Sequence, residues 1–166
     1  MSRVLPAGGR PRLVTAAAVL GLLSPLAGCS SAASSVEACM GKQAVSATSG
    51  ELAGTYVGEG HAKGATITLK TSGGKPGGTV TVHDWPTGDW YRGELGDTFD
   101  GKGTWDVEGG TRSGEHAQVH LFITEPRLFL RGYTLDALSI ATDSKRTHLY
   151  EDDDPDVCPA FRLRLT

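Results

Sequence analysis

Ala65-Thr66-Ile67-Thr68-Leu69-Lys70 and Gln118-Val119-His120-Leu121-Phe122-Ile123-Thr124 decide how this chain folds. In the first stretch Ala65, Ile67 and Leu69 share one face, and Thr66, Thr68 and Lys70 share the other. In the second, Val119, Leu121 and Ile123 turn inward and His120 outward. A period of two among β-branched and aliphatic residues specifies a strand with one buried and one wetted face. The alternation recurs at residues 79–83, with Val80 and Val82 inward, and at residues 103–108, with Trp105 and Val107 together. Near the C-terminus Phe161, Leu163 and Leu165 alternate with Arg162 and Arg164. Residues 128–133 and 138–141 complete the predicted strands.

Turn chemistry separates these runs. Ser72-Gly73-Gly74-Lys75-Pro76-Gly77-Gly78 is a loop, and Glu125-Pro126-Arg127 and Asp143-Ser144-Lys145-Arg146 are shorter links. The 23 glycines follow no collagen period and read as turn residues. Beyond the N-terminal leader, no stretch keeps a helical period over three turns. The expected fold is all-β, an antiparallel meander of about eight short strands. Such a sheet must hide two edges, and closure into an up-and-down barrel removes both. A β-sandwich is the alternative architecture.

The first residues belong to a different kind of segment. Arg3, Arg10 and Arg12 precede an apolar run, LVTAAAVLGLL, with no acidic residue among them. That run suits a signal-peptide core and is too short for a spanning helix, which needs roughly 20 apolar residues. Leu26-Ala27-Gly28-Cys29 follows and resembles the bacterial lipobox at every position. The resemblance implies a lipoprotein, cleaved before Cys29 and acylated on its thiol. Two acyl chains on one residue hold a protein to a bilayer far better than one, at about 0.8 kcal/mol per buried methylene. The expected organisation is a signal peptide over 1–28, a lipidated cysteine and flexible tether over 29–50, and a β-rich extracytoplasmic domain over 51–166. The expected location is the outer face of the cytoplasmic membrane.

Cleavage changes the charge. The precursor carries 16 Lys and Arg against 19 Asp and Glu, and the leader removes only arginines. The mature chain has 13 basic and 19 acidic residues, a net charge of −6. That sign excludes nucleic acid as a natural partner and excludes a polybasic grip on anionic lipid. Cys39 and Cys158 remain as an even pair in an exported protein, so a disulfide between them is the default. No C-x-x-C motif suggests a redox role.

Leu52-Ala53-Gly54-Thr55-Tyr56, Gly101-Lys102-Gly103-Thr104-Trp105 and Asp154-Pro155-Asp156 before a last aromatic strand resemble small secreted or lipid-anchored β-proteins of actinomycetes. That resemblance implies a fold and an address, and no activity. Gly54-Thr55-Tyr56 is also similar to the opening of lipocalin-like barrels, with Tyr56 where those carry tryptophan.

Several residues are candidates for function. The stretch His83-Asp84-Trp85-Pro86-Thr87-Gly88-Asp89-Trp90-Tyr91-Arg92 sets three aromatics and an arginine in an expected loop. Trp85, Trp90, Tyr91 and Arg92 are the types that anchor binding interfaces. The competing reading has Trp85 and Trp90 plugging one end of the core. Asp152, Asp154 and Asp156 imitate the first half of an EF-hand loop, but Val157 stands where glycine is required and Leu163 where the bidentate glutamate belongs. A solvated acidic turn is the competing reading there. His116 and His120 lie on the order of 13 Å apart on a strand, too far to share an ion. His61, His83 and His148 are scattered, so any zinc site must be assembled by folding. No pattern asks for a cofactor.

Two functional classes follow. The first is a non-catalytic binding or interaction module at the cell surface, whose ligand is a small apolar molecule, a glycan or a surface protein. The second is an extracytoplasmic enzyme assembled only on folding, with His83, Asp84 or Asp89 as titrating groups.

Overall fold

The computed structural model describes residues 35–110, 115–143 and 146–166. Cys29 and the leader lie outside the described residues. Helix α1 (Ser35–Met40) and strand β1 (Lys42–Gln43) come first, followed by helix α2 (Ser49–Leu52). Strands β2 (Gly54–Gly60), β3 (Thr66–Thr71), β4 (Gly78–Pro86), β5 (Thr98–Glu108), β6 (Gln118–Glu125), β7 (Ala137–Thr142), β8 (Thr147–Tyr150) and β9 (Phe161–Leu165) build the body. Between β4 and β5 lie a single 3₁₀ turn, Asp89–Tyr91, and helix α3 (Arg92–Leu95).

Strands β2 to β9 pair antiparallel in chain order, and β9 returns to pair with β2 from Tyr56↔Leu165 to Gly60↔Phe161. The sheet is therefore a closed eight-stranded barrel, with β1 as one extra strand on β7. The predicted barrel, and not the sandwich, is the fold. Closure leaves β2 and β9 with no free edge, which is the physical reason a short meander prefers it.

The alternating residues point inward as expected. Ile67, Leu69, Val80, Val82, Trp105, Val119, Leu121, Ile123 and Leu163 are buried. They share one core with Tyr56, Trp85 and Phe161. An eight-stranded barrel has an interior just wide enough for side chains to fill. Here Tyr56, Trp85 and Trp105 take that space with their aliphatic neighbours. Tyr56 donates its hydroxyl to Leu52 O at 3.0 Å, which ties α2 to the barrel, and burial pushes its pKa well above the ordinary range. A capping box starts α2: Thr48 accepts from Glu51 N, and the Glu51 carboxylate accepts from Thr48 N at 2.8 Å.

Two irregularities shape the wall. Val82 pairs with Gly101 and Trp85 with Phe99, so His83 and Asp84 stand opposite Asp100 alone. This two-against-one step is a β-bulge, and it inverts the inward parity of β4. Simple alternation from Val82 would have turned Asp84 inward. With the extra residue, Asp84 faces out at φ 49° and Trp85 goes into the core. The second step lies where β5 meets β6, between Lys102↔Glu125 and Gly103↔Ile123. A Cβ on Gly103 would stand 2.0 Å from Phe122 O, so this close approach requires glycine.

Two expectations are corrected. Residues 128–133 are not a strand but part of the connection from β6 to β7. Leu128 and Leu130 are exposed and Phe129 is buried, so the alternation is real, but only Phe129 N bonds back to β6, at Ile123 O. Residues 35–50 are not a free tether. Val36 and Met40 of α1 are buried against Ala141 and Tyr150 on the outer face of β7 and β8. The folded domain therefore includes α1.

The expected disulfide is present. Cys39 and Cys158 are bonded across 119 residues of sequence, with Cα atoms 6.1 Å apart. The bond staples α1 to the segment that leads into β9. Replacing both cysteines by serine is expected to lower unfolding stability by up to about 4–5 kcal/mol through the unfolded chain's regained entropy. Denaturant unfolding of the oxidised protein and the double variant measures it.

Candidate functional site

The aromatic stretch is split by the bulge. Trp85 lies on β4 and not in a loop. It is fully buried, meets Phe161 edge-on at 5.5 Å, and donates Nε1–H to Leu135 O at 2.9 Å. It is the core plug. Trp90 is the opposite case, 81% exposed. The expectation that both tryptophans share one role fails because β4 ends at Pro86 and the 3₁₀ turn capped by Gly88 lifts Trp90 off the barrel.

Trp90 has an aromatic neighbour from another segment. Its ring lies 6.3 Å from Tyr133, tilted by 36°. Tyr91 meets Tyr133 at 5.7 Å and Phe129 at 5.3 Å, both edge-on. Arg127 sits over the Tyr91 ring at 4.1 Å, a cation–π contact, and donates to Glu94 at 2.5 Å. Arg92 is committed elsewhere, to Asp89 at 3.1 Å and Asp97 at 3.4 Å. Trp90 and Tyr91 therefore belong to the candidate surface, while Arg92 braces the helix beneath it.

Tyr133 and Phe129 were not legible as site residues because residues 128–133 read as a strand, nor was Arg127, which reads as part of the link before it. The available signal was Pro126 two residues before the run and Gly132 inside it. The connection also brings apolar surface. Leu128 is 64% exposed, Leu130 57%, and Phe122 on the outer face of β6 52%. Phe122, Phe129 and Leu130 line a groove of about 330 Å³ along β6, with Asp106, Glu108, His120, Arg131, Thr134 and Asp136 as its polar members. Tyr133 N donates to Leu130 O, so the turn joins the groove to the Trp90 platform.

The second gathering of groups lies at the bulge. His83 Nδ1 is 2.5 Å from Asp100 Oδ1, and His83 Nε2 is 3.3 Å from Asp84 Oδ2. Asp84 N donates to Asp100 Oδ1 at 3.1 Å. That backbone bond, followed by His83, holds the Asp100 carboxyl below its ordinary pKa despite some desolvation. Of the titrating groups named from sequence, His83 and Asp84 converge, whereas Asp89 pairs with Arg92.

The acidic turn does not converge. Asp154 accepts from Asp156 N at 2.9 Å, and Asp152 accepts from Ser139 at 3.4 Å. Among the described residues, the group of histidine and carboxylate side chains close enough for one ion is His83, Asp84 and Asp100. Asp152, Asp154 and Asp156 are not part of that group. His120 Nε2 lies 3.4 Å from Glu108 Oε2.

Two outcomes test this layout. Trp85→Ala is expected to cost about 3–5 kcal/mol and Trp90→Ala within about 0.5 kcal/mol, both read by denaturant unfolding. Glu151, next to the acidic turn, has its pKa raised by burial and then by the Asp153 charge. The folded state thus holds the Glu151 proton more tightly than the unfolded chain, so this group's contribution falls as pH rises through that window. Glu151→Gln is expected to stabilise the protein at neutral pH and to change nothing well below pH 4, as thermal unfolding at both pH values would show.

No family model, curated protein or solved structure matches this chain.

Proposed function

We propose that this chain is a lipid-anchored binding module, displayed on the outer face of the cytoplasmic membrane, that holds an envelope partner on its outer wall. The anchor rests on the lipobox-like Leu26-Ala27-Gly28-Cys29 behind a basic, then apolar, leader. The binding role rests on one observation above the others: Trp90 stands 81% exposed beside Tyr133, and this platform continues into the Leu130 and Phe122 groove.

An exposed tryptophan on the β4–β5 connection and two exposed leucines on the β6–β7 connection, which meet through Trp90 and Tyr133, offer the kind of apolar surface that monomers avoid unless it is used. Aromatic residues offer large contact area at low entropic cost, and charged neighbours such as Asp89, Arg92 and Arg131 supply a polar rim. The filled interior argues against a small apolar ligand held inside the barrel. A glycan or protein of the envelope suits the exposed platform better.

Two measurements test the reading. Cells fed an alkyne-bearing fatty acid are expected to label the wild-type chain and not Cys29→Ala; equal labelling of both would sink the anchor. The detergent-solubilised lipidated chain is expected to co-sediment with delipidated cell-wall material. Trp90→Ala combined with Leu130→Ser should lower that retention at least tenfold, since hot-spot truncations cost roughly 2 kcal/mol or more. Unchanged retention would remove the platform from the reading.

A further inference from the structure

The bulge in β4 does more than redirect Trp85. It places two consecutive side chains, His83 and Asp84, on the outside of the wall, where alternation allows only one. Their cross-strand neighbour is Asp100 of β5. The result is an imidazole and two carboxylates carried by two paired strands. One ligand atom from each lies within 4.8 Å of the others. We propose that His83, Asp84 and Asp100 form a binding site for a divalent transition-metal ion of borderline softness, with Zn²⁺ as its representative.

The donor set selects the ion class. Imidazole suits Zn²⁺, Cu²⁺ and Ni²⁺, whereas Ca²⁺ and Mg²⁺ want six or more oxygens. One nitrogen and two carboxylate oxygens make a three-ligand set of the kind that keeps a position open for water or substrate. Ligands at about 2.0–2.2 Å from zinc stand roughly 3.5 Å from one another. The present spread must close by on the order of 1 Å, which rotation of these exposed side chains supplies.

The setting favours the ion. Two carboxylates against one histidine leave a net negative spot. The nearest cation on the same strands, Lys102, is paired with Glu125 at 2.9 Å and does not neutralise it. Asp100 is oriented by the Asp84 backbone N–H, so one ligand is held by the ladder itself. An open cleft of about 450 Å³ adjoins the cluster, lined by the outward hydroxyls of Thr66, Thr68 and Thr81. A fourth ligand has room to approach from that side. The acidic turn at residues 152–156 has none of these features: its carboxylates accept from neighbouring backbone or serine and sit on a loop.

This inference is independent of the Trp90 platform, which is built on other segments. The test uses the full-length, untagged protein after chelator treatment. Zn²⁺ is titrated by calorimetry, with equilibrium dialysis and elemental analysis for stoichiometry. The expected result is one bound equivalent. Asp100→Asn and His83→Gln should each weaken it at least tenfold, while the double variant Asp152→Asn with Asp154→Asn leaves it unchanged. Asp100→Asn keeps the oxygen that accepts from Asp84 N, so its fold should persist; matching circular dichroism of both single variants checks that. Zinc-dependent shifts of the His83 ring resonances give a second readout that needs no substitution. Absence of a stoichiometric site in the wild type, equal affinity in Asp100→Asn, or loss only in the acidic-turn variant would each overturn the proposal.

Discussion

The pairing of β9 with β2 is the constraint on which the rest depends. Five register pairs, from Tyr56↔Leu165 to Gly60↔Phe161, convert a meander into a closed wall. Closure satisfies the backbone groups that two edges would leave open, and it gives the inward residues a single shared interior. It also brings the chain's last strand beside the strand that follows α2. The Cys39–Cys158 bond then holds α1 close to the segment that enters β9. Covalent and hydrogen-bonded closure act on the same two ends of the domain.

A filled barrel is a rigid support with little room for a ligand inside. Trp85, Tyr56 and Trp105 take the space that a wider barrel leaves for cargo. Under the proposed binding role recognition uses the outside, and two features of the outside stand apart from an ordinary solvated wall. One is the platform where the turn after β4 meets the β6–β7 connection, through Trp90 and Tyr133. The other is the bulge, where His83, Asp84 and Asp100 converge. Both arise where the strand ladder departs from regularity, which is where a β-wall can aim side chains in a new direction.

The bulge also explains why tryptophans five residues apart have opposite fates. Trp85 falls on the inward side only because two residues of β4 oppose one of β5. Trp90 lies inside the 3₁₀ turn that follows Gly88, so no strand parity governs it. Arg92 shows a related distinction. Its type suggested a binding anchor, yet its partners are Asp89 and Asp97, and Arg127 from a distant segment takes the place over Tyr91.

Much of the fold was legible in the residues themselves. Period-two alternation at Ile67, Val80, Val119 and Leu163 determined strands and their inward faces, because a one-residue slip would expose every apolar side chain. Even cysteine count after Cys29 determined the disulfide. The lipobox-like Leu26-Ala27-Gly28-Cys29 and the apolar run before it, on which the proposed anchor rests, are also read from local sequence. Tertiary structure alone decided the rest. Residues 128–133 alternate like a strand but find no ladder partner beyond Phe129, since pairing is a long-range event that local pattern does not report. The metal-type cluster joins residues from two strands across a bulge, and a bulge depends on cross-strand register. His83 and Asp84 were visible as candidates; Asp100, the third member, was not, because only the pairing of β4 with β5 places it opposite them.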